Sequence, residues 1–385
     1  MANLCPKIVL LMLNSFIYNR LYEWYETNRR ILPWRETEDG YKIWLSEVIL
    51  QQTRVAQGME YYLRFVARWP KVEDLAAADE AEVLREWQGL GYYSRARNLH
   101  KAAQMVVERG WSPFPTRFED LRSLPGVGEY TAGAIASFAY NRPYPAMDGN
   151  VYRVVARLMD IDEPFDTTAG KKLFHKEIEL LMDREHPRLF NSAIMEFGAL
   201  YCTPSNVRRS DVRGTKEEES GGFLETKCPA CPLNAMCLSY AHGTAELLPV
   251  RKARPKVRDR WLEYHIYVQR NNVQSTEGEK VYTLIRRREN PKDIWYHLYE
   301  FPCEEQENAQ RDDVQSNVQR DNVQGTKEVC SFTHVLSHQR IHARFIIQKV
   351  EELPTLPDTF RVSWPELDEY ALSRLTLRAL DLISP

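Results

Sequence analysis

The stretch LPGVGEYTAGAIASFAYNRPYPAMDGN at residues 124–150 constrains the fold of this chain more than any other part of it. Gly126 and Gly128 flank a single valine, and glycine admits positive φ and close backbone approach. Gly128 also opens the helical pattern GEYTAGAIASFA, so the amides of the turn and of the first helical residues point outward together. Such a nest suits a phosphate oxygen. A further helix, DGNVYRVVARL, starts at Asp148, which puts a carboxylate at its N-terminus, also a common N-cap choice. The segment predicts two helices joined by a tight turn, with an acid at the start of a third.

Cys202, Cys228, Cys231 and Cys237 form a second signature, the last three spaced C-x2-C-x5-C. Seven cysteines in 385 residues, four of them in one region, do not make a secreted disulfide framework. Four converging thiolates suit a tetrahedral zinc site or a [4Fe–4S] cluster, and spacing alone does not separate the two. A third feature is the helix YKIWLSEVILQQTRVAQG, where Glu47 lies three or four residues from Ile43, Trp44 and Leu50. It therefore projects from the apolar side. Desolvation there raises a carboxyl pKa and lets it hold a proton near neutrality, as a general acid must, although a salt-bridged helix glutamate fits the same position.

LPWR at 32–35, WLSEVILQQT at 44–53, the PGVG turn with Asp148, and the cysteine set together resemble the endonuclease III superfamily of helix-hairpin-helix DNA glycosylases. Within it they resemble the A·8-oxoguanine-specific adenine DNA glycosylases, over about residues 14–385 apart from polar insertions. The superfamily's cluster loop reads C-x6-C-x2-C-x5-C, whereas 25 residues separate Cys202 from Cys228 here. Closing a loop about four times longer costs only ~1.2 kcal/mol, little against four metal–sulfur bonds. The resemblance implies a [4Fe–4S] cluster on these four cysteines.

It further implies that Glu47 protonates N7 of a flipped adenine. Asp148 then stabilises the oxocarbenium-like sugar, with Tyr130 and Asn150 assisting, as in two-carboxylate glycosidases. Lyase members carry a Schiff-base lysine two residues after the hairpin. Tyrosine stands there in this chain and cannot form an imine, so the expected enzyme is monofunctional. Gln52, Thr53 and Tyr92 match residues that fill or contact the base stack at the lesion. Arg35, Arg95, Gly126 and Gly128 complete the expected DNA-binding set. The implied partner is duplex DNA with an A·8-oxoguanine or A·G mispair, bound by a monomer in a bacterial cytoplasm, at the nucleoid. Competing readings are an endonuclease III-like pyrimidine-lesion glycosylase and a non-catalytic iron–sulfur DNA-binding protein.

A length of 385 residues predicts two domains. The net charge of −3 does not by itself flag a nucleic-acid partner. Positive charge is local, in SRARNLHK (Arg95, Arg97, His100, Lys101) and in RKARPKVRDR at 251–260, which also reads as a solvated linker. The apolar run IVLLML at 8–13 is too short to span a membrane, and a natural start at Met12 fits the pattern.

The expected organisation is an extension over 1–13, an all-α glycosylase domain with the cluster loop over 14–245, a basic linker over 246–260, and an α/β or α+β domain over 261–385. Segments 263–269, 281–287 and 343–350 alternate as strands, and TLRALDLIS near the end reads as a helix. This part, including WYHLYEFP at 295–302, resembles the Nudix-like 8-oxoguanine recognition domain of the adenine glycosylases. The Nudix hydrolase glutamates are missing. The family's Phe-Ser-His recognition loop aligns with Leu336-Ser337-His338, with Phe332-Thr333-His334 as the alternative. Four copies of a polar phrase (RSDVRGTK at 209–216, RNNVQST at 270–276, RDDVQS at 311–316, RDNVQGTK at 320–327) read as silent insertions in surface loops.

Overall fold

The computed structural model describes residues 6–111, 113–204, 227–252, 257–271, 280–306, 319–323, 327–336 and 338–381. Ser337, the first and third polar copies, and parts of the other two copies lie outside the described residues. The chain forms two compact units, one of Met1–Gln52 with Met105–Ala253 and one of Thr53–Gln104 with Arg254–Pro385.

The first unit is helical. It comprises α1 (Pro6–Asn28), a 3-10 turn at Pro33–Arg35, α2 (Gly40–Leu50), then α7 (Phe118–Arg122), α8 (Glu129–Tyr140), α9 (Gly149–Leu158), α10 (Thr168–Leu181), α11 (Pro187–Leu200) and α12 (Leu238–His242). The first helix starts at Pro6, ahead of residue 14 where the sequence pattern placed it, because proline suits the first helical turn and no breaker follows. The Ala-rich α8 is a strong helix former, buried along almost its whole length, and it ends at Asn141 in the left-handed conformation. It packs on α2, α7 and α11, while α9 packs on α11 and α10. Ile17, Leu21, Val151, Val154, Val155, Phe174, Phe190, Ile194 and Phe197 form one apolar cluster beneath α9.

In the second unit, α3 (Val55–Arg68), α4 (Val72–Ala77), α5 (Glu80–Glu86) and most of α6 (Ser94–Glu108) join a mixed sheet. Polar contacts tie them together: Tyr93 donates to the Leu372 carbonyl (3.1 Å), Gln88 accepts from the Leu372 amide (3.0 Å), and Arg97 donates to the Tyr296 carbonyl (2.6 Å). The strands are β1 (Arg258–Asn271), β2 (Lys280–Arg287), β3 (Tyr299–Glu300), β4 (Cys303–Gln306), β5 (Gln319–Val323), β6 (Lys327–Val335), β7 (Gln339–Val350) and β8 (Thr359–Ser363). Their order is β3-β2-β1-β7-β6-β5, with β4 on β1 and β8 on β2. β1 and β7 run parallel over Arg258↔Gln339 to Gln269↔Val350. Alternate residues Leu262, Tyr264, Ile266 and Val268 face the core with Ile341, Ala343, Phe345 and Ile347, the period-two burial of a strand. α13 (Arg374–Leu380) adds Leu375 and Ala379 to that core.

Two sequence expectations need correction here. The fourth polar copy is not wholly loop: β5 pairs with β6 from Gln319↔Ser331 to Val323↔Lys327. An edge strand satisfies its backbone through one ladder and needs no buried side chains, so polar composition does not forbid it. The basic run ends inside the sheet rather than in a linker. Arg260 lies on β1 and is buried, and it pairs with both Glu305 oxygens at 2.7 Å.

Candidate active site

Asp39 caps α2, accepting from the amides of Tyr41 (2.9 Å) and Lys42 (3.4 Å). Nearly every α2 side chain is buried, Glu47 included at 8 % exposure. Its Oε2 accepts a hydrogen bond from the Tyr130 hydroxyl (2.7 Å) on α8. Burial pushes Glu47 up to about 7. The Asp148 charge adds to that rise, whereas the Tyr130 hydrogen bond and Arg35 oppose it. Burial and the two nearby carboxylates also hold the Tyr130 phenol well above its ordinary range, so it stays a donor.

Asp148 caps α9. Its Oδ1 accepts from the amides of Asn150 and Val151, both at 2.8 Å, and its Oδ2 accepts from the Asn150 side chain at 2.7 Å. Burial raises its pKa, but these three donors, together with Arg153, pull the other way. With three hydrogen bonds and a helix N-terminus favouring the ionised form, Asp148 is the better anion of the pair. Glu47, with one neutral hydroxyl as its hydrogen-bond donor, is left the more readily protonated acid. Asn150 is held in turn by Arg153, whose Nη2 donates to Asn150 Oδ1 (2.8 Å) and to the Gly198 carbonyl (2.6 Å). Arg153 Nε donates to the Cys202 carbonyl (2.7 Å). A Cβ on Gly198 would lie 2.8 Å from Asn150 Cβ and 2.9 Å from its carbonyl oxygen, so only glycine lets α11 pass this close to the start of α9.

Sequence reasoning missed Glu196. Fully buried on α11, it accepts from the Arg30 amide (2.9 Å), from Arg30 Nε and Nη2 (2.8 and 2.7 Å) and from Arg35 Nη2 (2.8 Å). Burial alone would raise it, but the two arginines outweigh that and hold it down to about 2. Arg35 Nη1 is buried without a hydrogen-bond partner.

In the hairpin, Gly126 has φ +75°, but Gly128 is extended at φ −86° and does not use positive φ. A Cβ at Gly128 would meet nothing within 4 Å, so the space beside the first turn of α8 is open. Gln52 (φ 56°) and Tyr92 (φ 48°) are both exposed and left-handed, a backbone choice that non-glycine residues rarely make. Arg95 turns inward. It stacks 4.9 Å from Trp87 and bonds to Thr53 Oγ1 (3.4 Å) and the Gly91 carbonyl (3.2 Å), with burial drawing it down to about 10. His100 is buried too, whereas Arg97 is half-buried and Lys101 is exposed. Phe332 is buried and stacked on Phe345 (5.2 Å), while Thr333 and His334 are half-buried. The β6–β7 turn carries Leu336 and the exposed His338.

As the side chains stand, no three cysteine, histidine or acidic groups among the described residues meet at metal-binding distance. The four thiols Cys202, Cys228, Cys231 and Cys237 are free and half-buried, and they lie close enough to influence one another's ionisation. Burial and the other thiols push Cys231 up to about 12, a set that gives up its protons to a bound cation rather than to water. Arg157 Nη1 donates to Cys202 Sγ (3.2 Å), and its Nη2 is buried with no partner. Four thiolate donors beside an uncompensated cation fit an anionic four-cysteine cluster.

The helical part matches the HhH-GPD superfamily of base excision DNA repair proteins over residues 45–179, and the sheet matches the NUDIX domain over 274–382. With the hairpin and the acid pair, this defines a base-excision DNA glycosylase. The adenine DNA glycosylase of Buchnera aphidicola subsp. Schizaphis graminum is 30% identical over 332 residues, covering 85% of this chain and 86% of that protein. That of the Baizongia pistaciae subspecies is 29% identical and covers 93% of both. The human adenine DNA glycosylase is 40% identical over 227 residues, which are 56% of this chain and 38% of that protein. The chain belongs to the adenine DNA glycosylase family and acts in base excision repair. No helix among the described residues is long and apolar enough to cross a membrane.

Proposed function

We propose that the chain, as a nucleoid-associated monomer, excises adenine from A·8-oxoguanine and A·G mispairs without cutting the strand. One observation carries this: a buried glutamate with a pKa near 7, held by a tyrosine hydroxyl, beside a carboxylate fixed by three donors. The flipped adenine takes the Glu47 proton at N7, and the C1′–N9 bonding pair then withdraws into the purine. Asp148 stabilises the positive charge left on the sugar, held in place by Asn150, while water adds at C1′ and returns a proton to the carboxylates. Arg35 offers its spare Nη1 to the base.

Gly126 and Gly128 open the hairpin to a phosphate, and Gln52, Thr53, Tyr92 and Arg95 are further DNA contacts. Ser337 and His338 read 8-oxoguanine. Cys202, Cys228, Cys231 and Cys237 would hold a [4Fe–4S] cluster, a redox-capable centre that closes the loop following α11. Tyrosine at 130 leaves no amine for a Schiff base, hence a monofunctional enzyme.

Duplexes containing A·8-oxoguanine, A·G or thymine glycol, split with alkali after incubation, test this directly. Alkali-dependent breaks at adenine, fastest opposite 8-oxoguanine, are expected. Breaks without alkali, or release of thymine glycol in place of adenine, contradict it.

A further inference from the structure

Arg157 is one of the most deeply buried charges in the first unit, 2 % exposed on α9. Among the described residues no carboxylate comes within ion-pair distance of it. Its Nε donates to the carbonyls of Ala245 (2.9 Å) and Leu248 (3.2 Å), and its Nη1 to the Thr203 carbonyl (2.8 Å) and Cys202 Sγ (3.2 Å). The guanidinium thus clamps both ends of the cysteine loop, Cys202–Thr203 at its entry and Ala245–Leu248 at its exit. Its Nη2 has no partner at all. Cys237 Sγ in turn lies 3.4 Å from the Arg157 carbonyl, so two of the four thiols touch this one residue.

A buried cation without an anion is costly, and so is a buried N–H without an acceptor. Both deficits sit against the same thiols. A [4Fe–4S] centre on four thiolates is anionic and carries sulfide acceptors, so it removes both at once. We infer that Arg157 is the counter-cation of the cluster and donates through Nη2 to one of its sulfurs, setting the cluster's reduction potential and its hold on iron. This rests on the cluster reading given above. Hydrogen bonds and positive charge at the sulfurs favour the reduced, more negative state, so Arg157 raises the potential. Arg153 does not take this role, because its donors are spent on Asn150 Oδ1 and on backbone carbonyls.

The test uses the full chain. Iron in wild-type protein is counted first, and a chain purified anaerobically with zinc or no metal defeats the cluster reading itself and the inference with it. With about four irons bound, R157M and R157K are compared with wild type by mediated redox titration and by iron loss to a chelator. In R157M the oxidised-to-reduced ratio at the wild-type midpoint should rise about tenfold, a negative shift of about 59 mV for a one-electron couple. Iron loss should quicken about tenfold as well. R157K keeps a point charge but loses the fork, so it should shift the same way by less. If R157M does not fold, R157K decides alone. Iron-loaded R157K with wild-type midpoint and wild-type iron retention overturns the inference, as does R157M unchanged in both.

Discussion

Glu47 on α2 and Glu196 on α11 are both buried carboxylates of the helical unit, yet one is held near 7 and the other near 2. Burial raises both. What differs is the answer from their neighbours: Glu196 receives two arginines and a backbone amide, while Glu47 receives one neutral hydroxyl. Glu196 is therefore a fixed anion that anchors residues 30–35 to α11. Glu47 is under-compensated and keeps a proton that it can give away. Depth alone does not mark a general acid; depth without a hydrogen-bonded cation does. Asp148 is desolvated as well, which raises it, but three neutral donors favour its anion, which suits a group that must face a developing positive charge.

The largest effect that sharpens this contrast is expected from Asp148→Asn. Removing the charge that the sugar needs only in the transition state should slow adenine release on the order of 10³-fold while duplex binding persists. Near-wild-type single-turnover release would end the distinction between the two acids.

Glu196→Gln probes the opposite region. It strands Arg30 and Arg35, and unfolding in urea should show a loss of about 3 kcal/mol. An unchanged midpoint would mean that the clamp is not what holds residues 30–35. Smaller still, Gly198→Ala should push Asn150 away from Asp148 and cut single-turnover release roughly tenfold or more, with a stability loss of about 1–3 kcal/mol from the overpacked contact. Full activity would show that the start of α9 tolerates displacement.

Tyr130→Phe should act least on rate and most on pH. The Tyr130 hydrogen bond lowers Glu47, so its loss raises Glu47 further and moves the alkaline limb of activity to higher pH. About half a unit to one unit is expected, the worth of one neutral hydrogen bond. A limb that moves to lower pH contradicts the assigned direction of that bond.

The burial of Glu47 and the helix-start position of Asp148 were legible in local pattern, a helical face and a cap. Tyr130 and Asn150 came only with the family resemblance, and the structure adds the hydrogen bonds that join them to the two acids. The adenine glycosylase family itself was legible in WLSEVILQQT, the PGVG turn and the cysteine set. Glu196 was not, because its partners lie 166 and 161 residues away and nothing local announces them. Arg95 and Arg260 read as surface charge in sequence, but Trp87 stacking and Glu305 pairing draw them inward. Arg157 sat inside an apolar helical pattern, where only the packed loop reveals its open donor. Residue type allows positive φ at both Gly126 and Gly128, and the turn uses it at Gly126, with Gly128 extended. Strand β5 was hidden by its polar side chains, since edge pairing is decided by backbone groups.

The central claim is that Glu47 enters the reaction protonated. Single-turnover adenine release from an A·8-oxoguanine duplex, followed from about pH 5 to about pH 9 in wild type and Glu47→Gln, tests it most directly. The wild-type rate should hold level on the acid side and fall about tenfold per unit on the alkaline side of a limb near 7. Glu47→Gln should bind the duplex and release no adenine at any pH. Substantial release by Glu47→Gln, or a wild-type rate that climbs with pH through that limb, would contradict the assignment.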